Sequence, residues 1–243
     1  DMTRLLVGSE GSLGIICEVT WRVSTRPELC CASSAEGSLE TCFRMAFDLM
    51  NSCLLPAFIV LLPRGDISGQ LTDPWVIRVG FEGLAMVVDH QLQRCRDLFI
   101  ENGLAEADIS PYDLKDGCFK NEFCKMEKAP FVLNAACAAE RMPDQIETIN
   151  TLALPSGWFM DVGCGRTRIC LDDFDGGRWS DISELVSNEN GMIRVEKAPS
   201  AFLAENSMYG TISRPEWRLM PAVKAGLDPD GVFASPALPS FIN

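Results

Sequence analysis

Three features of the 243-residue chain predict an α+β fold. Short apolar runs are bounded by glycine and proline, amphipathic helical stretches lie between them, and the second half repeats the order of the first. That order, strand-helix-strand-strand-helix-strand, is the ferredoxin-like split βαβ arrangement. The chain is therefore expected to hold two such units in tandem, joined into one α+β domain.

Each element has its own signature. Residues 15–24 alternate and are rich in β-branched and aromatic side chains (Ile15, Ile16, Val19, Trp21, Val23), which reads as a strand. Over 38–55, Leu39, Cys42, Phe43, Ala46, Phe47, Met50 and Cys53 recur three and four apart. This spacing predicts an amphipathic helix with Ser38 as its N-cap. "PAFIVLLPRG" and "PWVIRVGFEG" follow as short buried strands, and "MVVDHQLQRCRDLFIENG" as a helix stopped by Gly103. The charged, irregular stretch 104–128 reads as a linker. In the second half, 129–138 is a strand and "MPDQIETINTLA" a helix that Pro143 can start. "GWFMDVGCGRTRICLD" gives two strands around a Gly-Cys-Gly turn, "WSDISELVSN" a helix and "GMIRVEKAP" a closing strand. A last helix over 214–226 carries Trp217, Met220, Val223 and Leu227 in one stripe and is closed by Gly226. A "DPDG" turn and a proline-spaced tail come after it.

Composition removes several classes of function. With 21 basic and 34 acidic residues the net charge is −13, which repels nucleic acid and anionic membrane surfaces. No stretch approaches the ~18 apolar residues of a spanning helix, and no basic segment leads into an apolar one as in a secretory signal. The chain opens at Asp1 almost directly into its first motif, so it is expected to be a fragment whose upstream part is missing. The eleven cysteines are odd in number and contain no C-x-x-C pair, which argues against iron–sulfur and zinc sites. Most sit in apolar runs as small buried hydrophobes, and the expected compartment is reducing, hence cytoplasmic. The single histidine, His90, stands between Asp89 and Gln91 without a partner at ligand spacing; it reads as a solvated helix residue, and no Ser-His-Asp or Cys-His site can be built on it. Asp172, Asp173 and Asp175 lack the ladder and closing glutamate of a calcium loop and read as a surface turn. No metal site is expected.

Two motifs remain. In "GSEGSLGIICEVTWRV" (8–23), glycines at 8, 11 and 14 match neither the dinucleotide fingerprint nor a phosphate loop. They let the backbone approach a flat or anionic ligand and present N–H groups, with Ser9 and Ser12 as further donors. The alternative is a bulged turn without a ligand. Arg166 and Arg168, alternating on a strand after Gly165, can point together at a carboxylate or can offset nearby acids on a solvated face.

The stretch "DMTRLLVGSEGSLGIICEVTWRV" resembles the end of the flavin-binding domain in FAD-linked oxidases of the vanillyl-alcohol oxidase type. Asp1, Leu5, Val7 to Leu13 and Gly14 to Ile16 match that family's motif, while Ser12 and Cys17 replace its usual threonines. "LMPAVKAGLDPDGVF" (219–233) resembles the family's C-terminal helix and turn, and "ASPALP" departs from its Asn-Pro-Gly. Without the paired histidines of the D-lactate type, the chain looks more like the FAD-binding subunit of glycolate oxidase, and "NGMIRVEKAPSAF" (190–202) resembles that subunit's last strand. The resemblance implies 1–24 as the end of the FAD domain, 25–205 as the cap and 206–243 as a helix and tail returning to the FAD domain. The cofactor would be FAD, contacted by Glu10, Gly11, Ser12, Leu13, Gly14, Ile15 and Ile16. The family's other diphosphate loop precedes this motif, so the fragment alone is expected to hold FAD weakly or not at all. The substrate would be a small 2-hydroxy acid, and the partners a larger flavoprotein subunit and an iron–sulfur subunit. No residue is identified as the catalytic base. A non-catalytic module docking onto a partner flavoprotein, or a D-lactate type dehydrogenase, is the alternative.

Overall fold

An eight-stranded sheet, antiparallel at every pairing, organises the described residues of the computed structural model, which are 2–9, 11–64, 74–105, 108–112, 119, 126–153, 155–188, 191–210 and 219–233. Its strands are β1 (Leu29–Gly37), β2 (Phe58–Pro63), β3 (Trp75–Gly83), β4 (Asp108–Pro111), β5 (Phe131–Ala136), β6 (Gly157–Asp161), β7 (Arg166–Leu171) and β8 (Met192–Lys197). The helices are α1 (Met2–Leu6), α2 (Leu39–Met50), α3 (Ala85–Glu101), α4 (Met142–Ala153), α5 (Gly176–Asn188), α6 (Ser200–Glu205) and α7 (Leu219–Leu227). The spatial order is β4-β1-β3-β2-β6-β7-β5-β8. Each half thus places its fourth, first, third and second strands side by side. The halves meet where Val60 and Leu61 of β2 oppose Asp161 and Met160 of β6.

Alternation along the strands divides the core in two. One face presents Leu61, Ile77, Phe81, Leu133, Met160 and Ile169 to the apolar sides of the helices, among them Phe43, Leu49, Cys95, Phe99, Ile146 and Ile182. The other face carries Val60, Leu62, Val132, Phe159 and Cys170, which pack with Phe119, Met126 and Ala129. Local chemistry fixes the helix ends. The Ser38 hydroxyl accepts the Thr41 N–H at 3.1 Å, as an N-cap should. Gly103, at φ 73°, closes α3 with Gly103 N–H to Ile100 O and Leu104 N–H to Phe99 O. This double bond pattern is a Schellman cap, and it drops Leu104 into the core.

The structure differs from the sequence expectations at several places. Residues 15–24 form no strand; Ile15, Trp21 and Val23 are 76, 79 and 85 % exposed. Alternation supplies only half of a strand, and among the described residues no backbone pairs with it. The first strand of the sheet is instead β1, "LCCASSAEG", whose small buried residues Ala32, Ser33 and Ala35 carry little β signal. The expected linker contains β4, four exposed residues paired with β1 through Cys31–Pro111 to Ser34–Asp108. The helix predicted over 38–55 stops at Met50, leaving Cys53 exposed, and α7 runs through Gly226 to Leu227. Trp217 and the tail beyond Phe233 lie outside the described residues.

The glycines at positive φ give a paired prediction. At Gly103 a Cβ meets nothing within 4 Å, so Gly103→Ala costs only the conformational strain, about 1 kcal/mol. At Gly165, φ 63°, a Cβ lies 2.2 Å from the Cys137 carbonyl oxygen, so Gly165→Ala costs roughly 3 kcal/mol or more. Urea unfolding of the two variants measures the difference.

Candidate functional site

The glycine motif leaves α1 as a self-bonded loop. Val7 N–H donates to Thr3 O at 2.9 Å, and the chain then turns through Gly8 at φ 90°. The Ser9 N–H and hydroxyl both donate to Leu6 O, at 3.2 and 2.8 Å. The Ser12 N–H and hydroxyl both donate to Ser9 O, at 2.9 and 2.6 Å. The two hydroxyl protons expected to reach a ligand therefore hold the loop's own shape. Gly11 turns at φ 79°, and open space lies where a Cβ of Gly8 or Gly11 would stand. At Gly14 a Cβ would make ordinary contact with Leu6 Cδ2 at 3.9 Å, so this chain's own packing tolerates a side chain there. Leu13 and Gly14 are half-buried, Ile15 and Ile16 exposed, and Glu10 lies outside the described residues. Among the described residues no backbone carbonyl takes the N–H of Gly14, Ile15 or Ile16.

The loop rests on the C-terminal turn, a contact that sequence analysis missed. Asp228 follows α7 and accepts the Val232 and Phe233 N–H groups, both at 2.8 Å, while Gly231 closes the turn at φ 64°. Lys224, one helical turn before Asp228, donates to its carboxylate, to Phe233 O and, at 2.7 Å, to the carbonyl of Ser12. The Lys224 side chain is 17 % exposed and that of Asp228 3 %. The Lys224 hydrogen bond, followed by those from Phe233 and Val232, holds the Asp228 carboxyl below its ordinary range. A Lys-x-x-x-Asp spacing leading into "DPDG" was the available signal.

The sheet face that packs with Phe119, Met126 and Ala129 carries the second candidate. Alternation on β7 sets Arg166 and Arg168 on this face, Arg166 exposed and Arg168 half-buried. Arg168 Nε donates to Glu196 Oε2 at 3.0 Å, and Asn134 Nδ2 donates to the same oxygen at 3.2 Å. Closer to the sheet centre runs a row of rings: Tyr112 to Phe58 at 5.6 Å, Phe58 to Phe119 at 4.9 Å and Phe119 to Phe159 at 5.1 Å. The Arg78 guanidinium lies 6.0 Å from the Phe119 ring. Gly80 makes room for the row, since a Cβ there would stand 2.1 Å from Phe58 Cε1. Beyond Tyr112 a cleft of about 540 Å³ opens between Arg26, Glu28, Cys30 and Pro111.

Burial and local pairing account for most of the remaining candidates. Burial pushes the Cys95 thiol up to about 12 and Cys170 to about 11, away from nucleophilic character. The nine described cysteines are free thiols; Cys17, Cys53 and Cys164 are exposed rather than buried. Asp175 accepts the Arg178 N–H at 2.9 Å and pairs with its guanidinium at 2.7 Å, capping α5, while Asp173 takes a second contact at 3.2 Å. His90 is exposed on α3. Among the described residues no group of acids, cysteines and histidine gathers as a metal site, and no helix is long and apolar enough to cross a membrane.

No family model and no curated protein matches the sequence. Among solved structures, 95 % of the chain superposes on alkyldihydroxyacetonephosphate synthase in two crystal forms, with TM-scores of 0.58 and 0.60 at 14 % and 13 % identity. A VAO-type flavoprotein from Myceliophthora thermophila C1 matches over 84 % of the chain at 13 % identity, with a TM-score of 0.39. The chain spans about half the length of the synthase, 48 % and 49 % in the two forms. It shares the fold of that half: an α+β domain on an antiparallel sheet.

The Asp228 turn has a defined pH window. A carboxyl held low in the folded state contributes stability above its unfolded value of about 3.9, and that stability is lost as pH falls through the folded value. Amide exchange at Val232 and Phe233 is expected to stay slow from pH 7 to 5 once intrinsic rates are removed. It should accelerate only below about pH 4, whereas Asp228→Asn exchanges fast throughout.

Proposed function

We propose that this chain is the C-terminal part of an FAD-dependent oxidoreductase subunit of the glycolate oxidase type, acting on a small 2-hydroxy acid. The observation that carries the proposal is the meeting of the chain's two ends. The opening motif and the C-terminal helix are the segments that resemble a flavin domain, and they join at Ser12 and Lys224, 212 residues apart. The fold shared with half of alkyldihydroxyacetonephosphate synthase supports the same reading.

The loop fits a flavin nucleotide. Gly8 and Gly11 present bare backbone, and the N–H groups of Gly14, Ile15 and Ile16 are not taken by carbonyls of the described residues. In this reading the backbone from Glu10 to Ile16 lies along the nucleotide diphosphate and excludes water from it. FAD, when bound, supplies the two-electron acceptor. Residues 25–205, taken as two ferredoxin-like units, form the cap that closes over the substrate. On the sheet face that carries Val132 and Phe159, Arg168, oriented by Glu196, and the exposed Arg166 offer cations to a substrate carboxylate. A larger flavoprotein subunit and an iron–sulfur subunit are the proposed partners, in the cytoplasm. The second reading, a non-catalytic module seated on a partner flavoprotein, draws on the exposed Ile15, Trp21 and Val23.

Flavin content separates the two. In the protein carrying both halves of the fold, Gly14→Val is expected to lower bound FAD at least tenfold while the thermal midpoint stays within about 2 °C, because Gly14 has room for a side chain. Unchanged flavin content would remove the loop from the binding site. If the flavin is bound, anaerobic bleaching by glycolate or D-lactate tests the substrate class. Arg168→Met should then raise KM about 10- to 100-fold, the size of one charge-assisted hydrogen bond.

A further inference from the structure

We infer that Lys224 is the positioning residue of the glycine loop, and that through it the C-terminal turn sets the loop's affinity for a nucleotide diphosphate; the ligand side of this inference rests on the flavin reading above. The geometry is specific. The ammonium has three donors, and three oxygens take them: the Asp228 carboxylate, Phe233 O and Ser12 O. Two of these acceptors belong to the turn and the third to the loop. The Ser12 carbonyl accepts from Lys224 while its N–H and hydroxyl donate to Ser9 O, so the peptide planes before and after Ser12 are each held, the second of them by Lys224. The following residues, Leu13 to Ile16, take their direction from that second plane. Asp228 in turn is held by the Val232 and Phe233 N–H groups, so the ammonium cannot swing toward the loop without breaking the turn.

The consequence is reciprocal. If the turn orders the loop, a ligand bound to the loop must order the turn by the same factor. A contact that served only to bury the lysine stem would show no such linkage.

The test uses the protein carrying both halves of the fold, with FAD removed and then added back. Hydrogen exchange is followed in peptides covering 8–17 and 228–233, with α3 as internal control. In the flavin-free protein Lys224→Met should raise exchange in 8–17 at least tenfold and leave α3 unchanged, and Lys224→Arg, which keeps the cation, should retain at least half of the logarithmic protection. FAD titration should show the methionine variant binding about tenfold more weakly, and FAD added to the wild type should slow exchange in 228–233. Unchanged exchange in 8–17, an arginine variant as exposed as the methionine one, or a turn indifferent to bound FAD overturns the inference. A wild-type protein that binds no FAD, yet loses loop protection on Lys224→Met, overturns the ligand half of the inference together with the flavin reading and leaves the positioning of the loop established.

Discussion

The pairing of β2 with β6 is the contact on which the architecture depends. Each half ends its strand order on its second strand, and an unpaired strand there would expose a row of backbone donors and acceptors. Val60–Asp161 and Leu61–Met160 close both edges at once and turn two four-stranded sheets into one. The side chains follow: residues of both halves, Leu61 with Met160 and Phe81 with Ile169, fall into one helix-side core. Asp161 reinforces the join, since its carboxylate accepts the Cys164 N–H at 3.2 Å and turns the chain tightly out of β6. Neither half therefore has a core of its own that is separable from the other's.

That core tolerates some local mismatch. Trp75 and Trp158 are fully buried, and their Nε1 groups find no acceptor among the described residues. An orphaned donor costs about 1–3 kcal/mol, whereas burying an indole of 150–250 Å² contributes about 4–6 kcal/mol. The apolar term wins at both positions. The opposite face of the sheet is balanced differently, with ring-to-ring contacts from Tyr112 to Phe159 lying beside charged groups held in place, Arg168 by Glu196 and Arg78 beside Ser34. One face of the sheet is a core; the other combines a smaller core with oriented polar groups, which is where chemistry can be placed.

The opening loop and the C-terminal turn are bonded to each other through Lys224 and Ser12. Residues 15–26 run exposed from the loop toward Glu28, whose carboxylate caps the first N–H of α3 through Ala85 at 3.1 Å. Beyond that anchor the loop is tied to the C-terminal turn by the half-buried Lys224. Its order thus depends on a few directional bonds, and directional bonds respond to ligand and pH in ways that a packed core does not.

The sequence by itself determined the strongly patterned elements. The periodic stripes of α2 and α3, the Ser38 cap, the Gly103 stop, and the apolar runs of β2, β3 and β5 to β8 are all visible in local spacing, because local propensity and burial agree there. It also carried the opening motif and the DPDG turn, since glycine and aspartate at turns report backbone geometry directly. Tertiary structure alone decided the rest. β1 and β4 exist because neighbouring strands supply their hydrogen bonds, though Ala32, Ser33 and the exposed Asp108–Pro111 carry little pattern of their own. Conversely, Ile15 to Val23 have the pattern but no partner strand among the described residues, and form no strand. The partners of Arg168 and Lys224, Glu196 and Ser12, lie 28 and 212 residues away. Pairing at such separations is fixed by how the strands and ends are brought together, and local spacing does not encode it.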